Sequence, residues 1–81
     1  MSKKVMIEIT GLDDKSIPPG IIRHLVGMRI DAFADRDSFS IPWQVFLQAL
    51  AKRSIEAWSW FVRFKGSSVF MFVPADKAKV I

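Results

Sequence analysis

The sequence predicts an α+β fold: a three-stranded antiparallel sheet, made of an N-terminal strand and a C-terminal hairpin, packed against two helices. Three observations predict it. Residues 5–10 alternate, with Val5, Ile7 and Ile9 on one side, which is the period of a strand. Between residues 16 and 53, apolar residues recur at helical spacing. Residues 58–73 form two apolar runs about Gly66 and Ser67, and they hold six of the chain's ten aromatic residues. The 81 residues make one small domain, residues 1–81.

Each element follows from its local chemistry. Gly11 and the acidic pair Asp13 and Asp14 break the first strand. Ser16 then precedes Pro18 and Pro19, whose fixed φ suits a first helical turn, and Ile21, Ile22, Leu25 and Val26 follow on one face. If Gly27 is carried inside this helix, Met28, Ile30 and Phe33 extend it to about residue 34. If Gly27 ends it, residues 28–32 form a second strand. The helical extension is the reading adopted. Residues 35–38 are a turn by composition. Ser40 caps the second helix, which carries Pro42 in its first turn and Trp43, Phe46, Leu47, Leu50 and Ala51 along one side. Lys52 and Arg53 fall in its last turn, where cations complement the helix dipole.

The hairpin's register follows from its turn. Gly66 at the first position of a two-residue type II′ turn pairs Phe64 with Val69, Val62 with Met71 and Trp60 with Val73. Those six residues form a core face. The opposite face carries Phe61, Arg63, Lys65, Ser68, Phe70 and Phe72. Pro74 stops the second strand, and residues 75–81 are expected to fray unless Val80 and Ile81 anchor them.

Composition narrows the function. Hydrophobic residues make up 51% of the chain, yet a domain this size buries only roughly 60–65% of its unfolded surface. The surplus predicts an exposed interface, most simply a homodimer. Twelve Lys and Arg against eight Asp and Glu give a net charge of +4 without a polybasic run. That charge is compatible with nucleic acid but steers weakly. There is no cysteine, so disulfides and thiolate-held metals are excluded. The N-terminal apolar run is too short for a signal peptide, and no run is long enough to span a membrane, so a cytoplasmic protein is expected.

No reaction is legible. Asp35 and Asp37 open like a calcium loop, but Phe39, Ser40 and Phe46 stand where ligands and the turn glycine belong. His24, the only histidine, has neither a cysteine nor a G-x-S-x-G serine to activate and reads as a surface residue. The expectation is a non-enzyme with no cofactor, metal or small-molecule substrate. Residues 65–72 resemble the longer signature of RNA-recognition motifs in their Lys-Gly start and terminal Phe. Ser67 and Val69 replace the signature's aromatics, however, and the segment follows the second helix rather than preceding it, so that family is set aside. The order strand, helices, hairpin resembles small Cro-type phage repressors and winged-helix modules in architecture, which implies a DNA- or RNA-binding regulator using Lys52, Arg53, Arg63 and Lys65. The leading expectation is a small regulatory or inhibitory module, of the style found among phage and plasmid regulators, that binds another protein. Phe61, Arg63, Lys65, Phe70 and Phe72 are its predicted contact residues.

Overall fold

The structure, a computed structural model, describes residues 3–81. The chain runs β1 (Lys3–Ile9), α1 (Pro19–Ile22), β2 (Arg29–Ala34), β3 (Ser38–Pro42), α2 (Trp43–Arg53), α3 (Ile55–Lys65), β4 (Phe70–Pro74), a 3-10 turn (Ala75–Lys77) and β5 (Ala78–Val80). The sheet has five antiparallel strands in the order β4-β3-β2-β1-β5 and curls into a half-barrel with two main helices, α2 and α3. The three-stranded sheet is therefore corrected to five, and the resemblance to Cro-type and winged-helix architecture lapses because β2 and β3 intervene between α1 and α2.

Three local causes account for the difference. First, Gly27 adopts φ +88° and donates its N–H to the Ile9 carbonyl at 2.7 Å. A left-handed backbone of this kind ends the α1 segment instead of extending it, so residues 29–34 form a strand and not a helix. Ile30 and Ala32 then turn inward on alternate positions. Second, Ser40 is a buried strand residue paired with Phe33 and Phe72, not a helix cap. Pro42 takes the N-cap position of α2.

The third cause removes the hairpin. Ser54 caps α3 by accepting the Ala57 N–H at 3.1 Å, and Glu56 lies in the first turn, where a carboxylate suits the positive end of the helix. Residues 55–65 are thus helical, with Ala57 and Phe61 buried one turn apart. Gly66 sits at φ −63°, outside the positive-φ region that a type II′ turn demands, and closes the helix. A Cβ there would run into the Val62 carbonyl. Only the second half of the expected hairpin remains extended, and β4 pairs with β3 instead: Phe39 with Val73, and Ile41 with Met71. Residues 75–81 do not fray as a free tail, because β5 pairs Ile7 with Val80 and Ile9 with Ala78.

The core lies between the inner sheet face and the two helices. Ile7, Ile9, Ile30, Ala32, Phe39, Ile41, Met71 and Val73 supply the sheet side. Trp43, Phe46, Leu50, Ala57 and Phe61 supply the helix side. Phe46 and Phe61 meet edge to face with centroids 4.9 Å apart, and Trp43 stands 5.4 Å from Phe46. Such contacts add roughly 0.5–1.5 kcal/mol each beyond area burial. Arg53 fastens the α1 segment to this layer by donating to the carbonyls of His24 (2.7 Å) and Val26 (2.8 Å). His24 reaches Glu56 at 3.0 Å and ties the same segment to α3.

Candidate functional site

The free edge of β4 borders a cleft of about 210 Å³. Hydrogen bonds in an antiparallel ladder alternate, so every second residue turns its backbone groups away from the neighbouring strand. Trp43 donates to the Val69 carbonyl at 2.9 Å, which fixes the phase: Val69, Met71 and Val73 bond to β3. The N–H and C=O groups of Phe70 and Phe72 consequently point outward along the edge, and Pro74 has no N–H to offer. Neither these five residues nor Val69 carries a charge.

Side chains alternate across a strand. Met71 and Val73 go inward, while Phe70 and Phe72 lie on the outer face with their rings 6.1 Å apart. Phe72 is 59% exposed and Val69 72%. The cleft, of about 210 Å³, touches Phe70, Met71 and Phe72 in succession. A space that meets consecutive side chains of one strand must run along its edge. Leu12, Asp14 and Ile17 from the segment before α1 also line it, together with Lys65 and Ser68, and the buried Trp43 and Phe61 form its floor.

The polar side of the cleft is a short hydrogen-bonded relay. Lys65 Nζ donates to Ser16 Oγ at 3.0 Å, and Ser16 Oγ donates to Asp14 Oδ1 at 2.6 Å. The Ser16 N–H also reaches Asp14 Oδ1, at 2.9 Å. These two bonds from Ser16, helped by the positive charge of Lys65, hold the Asp14 carboxyl below its ordinary range. The floor is apolar apart from the Trp43 indole N–H, which is buried with no hydrogen-bond partner. An unpaired buried donor costs roughly 1–3 kcal/mol.

Of the five contact residues expected from sequence, the cleft gathers four: Phe61, Lys65, Phe70 and Phe72. Their roles differ from those expected. Phe61 is 1% exposed and belongs to the core, because it lies on the inner side of a helix instead of the outer face of a strand. Arg63 lies apart on the outer side of α3, with its guanidinium 5.9 Å from the Phe64 ring. The four cations considered for nucleic acid are also dispersed: Arg53 is committed to two carbonyls and Lys65 to Ser16, while Lys52 is exposed at the end of α2. Sequence reasoning missed Leu12, Asp14, Ile17, Trp43 and Met71, and it placed Ser68 on the candidate face without naming it as a contact. The spacing Asp14-x-Ser16 is a local turn signal that was available; the approach of the 12–17 segment to β4 has none.

Ile55, Val62 and Phe64 are also exposed on α3, Ile55 and Val62 on one side and Phe64 on another, where its ring centroid lies 5.3 Å from that of Trp60. Among the described residues, no group of three or more His, Asp or Glu side chains is arranged to hold a metal, and no helix is long and apolar enough to cross a membrane. No protein-family model, curated protein or solved structure matches the chain.

Proposed function

We propose that this chain is a non-catalytic module that binds another polypeptide through the cleft beside β4, and that it acts as a small regulator by occupying its partner. The observation that carries the reading is an uncharged edge strand opening onto a cleft with an aromatic floor. Natural sheets usually guard an exposed edge with charge, and an unguarded one invites pairing. Exposed aromatics beside a concave apolar floor are the composition of an interface centre.

A peptide selection tests it. Random ten-residue peptides displayed on phage are panned on the wild-type protein, and an enriched peptide is synthesised with a fluorophore. Ser68→Trp, which fills part of the cleft, is expected to weaken its binding by at least about tenfold, the worth of one good contact. Unchanged binding in this variant contradicts the reading. The nucleic-acid alternative has less support, since two of its four cations are engaged within the fold. It predicts affinity for mixed-sequence DNA or RNA that falls steeply with salt. Dimerisation is a separate expectation, checked by sedimentation over a range of protein concentrations.

A further inference from the structure

We propose that the partner segment binds by adding a sixth strand to β4, with one bulky apolar side chain seated in the cleft; this rests on the binding role assigned above. Phe70 and Phe72 present two N–H and two C=O groups in a row along the edge. That row fits an extended backbone of about three to five residues, the strand-addition mode of peptide recognition. Pro74 lacks the N–H that would lengthen the row, so the pairing stops there.

The chemistry of the occupant follows from the surroundings. Because β4 carries no charge, the added segment is neutral where it faces the edge. Its alternate side chains divide between two environments. One set lies on the Phe70 and Phe72 rings, and the other enters the cleft above Trp43 and Phe61. At about 210 Å³ the cleft exceeds the roughly 150 Å³ cavity known to admit benzene, so an aromatic or large aliphatic side chain fits. Leu12 and Ile17 also line the cleft, so a large apolar side chain of the added segment meets apolar groups there.

The test separates strand addition from binding in the cleft alone. The probe is the enriched synthetic peptide described above. Phe72→Ala removes the ring but keeps the outward N–H, whereas Phe72→Pro removes both and leaves the β3 ladder intact. Strand addition predicts that F72P binds about tenfold more weakly than F72A, the loss of one hydrogen bond. A second arm leaves the protein untouched. N-methylating the peptide at successive positions should abolish binding at alternate residues only, the period of an antiparallel ladder. Enriched peptides should also share an uncharged stretch with one bulky apolar residue. Equal binding by F72A and F72P, together with no alternation in the N-methyl series, overturns strand addition. If Ser68→Trp still abolishes binding in that case, the cleft reading survives alone. Release of monomers from a dimer by the peptide would identify a second copy as the occupant and overturn the proposal.

Discussion

The two edges of the sheet are built alike and finished differently. Each exposes the backbone groups of two residues: Phe70 and Phe72 on β4, Ala78 and Val80 on β5. On β5 the residues between and before them are lysines. Lys79 lies 3.8 Å from Glu8, and Lys77 lies 3.5 Å from Asp13. The strand is also only three residues long. Shortness and lysine are the usual means of keeping an edge from pairing. β4 has five residues, no charge and two exposed phenylalanines. One molecule thus protects one edge and leaves the other open, and the open one is the edge with a cleft beside it. The difference teaches that apolar surface in a small domain need not be diffuse surplus; here part of it is concentrated where backbone groups are also unpaired.

The largest expected effect concerns what lies behind the open edge. Phe61→Ala should cost about 3–5 kcal/mol in denaturant unfolding, the usual range for a buried phenylalanine. A cost under about 1 kcal/mol would break the claim that β4 rests on an aromatic floor. A matched pair sharpens the contrast between edges. Val73 on β4 is fully buried, whereas Val80 on β5 is 57% exposed. Val73→Ala should lose roughly 2 kcal/mol and Val80→Ala less than about 0.5 kcal/mol, by the same measurement. Equal losses would show that the two edges are anchored alike.

Exchanging the edge chemistry comes next. Phe72→Lys gives β4 the guard that β5 carries, and should reduce peptide affinity by about tenfold or more with little change in stability. The smallest effect is the acid dependence of the cleft wall. Asp14 has a lowered carboxyl pKa in the folded protein, so its contribution is present above the ordinary value of 3.8 and is lost as pH falls through and below it. Asp14→Asn should flatten that part of the acid limb in denaturant midpoints measured against pH: the variant is slightly less stable than wild type near neutrality, and the gap closes as pH falls and the wild-type carboxyl is protonated. A steeper limb in the variant would contradict the assignment.

Much of the local chemistry was legible in the sequence, and much of the topology was not. The alternation of Val5, Ile7 and Ile9 marks β1, and Trp43, Phe46 and Leu50 mark α2 with its basic last turn. Residues 58–65 misled because Trp, Phe and Val favour strands. The helix signal was present in Ser54, Glu56 and the spacing of Ala57 and Phe61, but these are few beside eight residues of strand-like composition. Gly27 offered two outcomes, and only the pairing of β1 with β2 selects between them. Phe70 and Phe72 stood out as exposed aromatics of an extended segment. The strand that β4 joins, and the segment that faces its edge, are set by contacts distant in sequence. No local pattern encodes the approach of Leu12 and Ile17 to that edge.

Amide hydrogen exchange, read residue by residue by NMR, tests the central claim most directly. In the free protein the N–H groups of Phe70, Phe72, Ala78 and Val80 should all exchange quickly, because all four point away from the sheet. With saturating peptide, Phe70 and Phe72 should slow by about tenfold or more as their N–H groups enter a ladder, while Ala78 and Val80 stay fast. Exchange at Phe70 and Phe72 that is unchanged by bound peptide, or slowing at the β5 edge instead, would contradict the account.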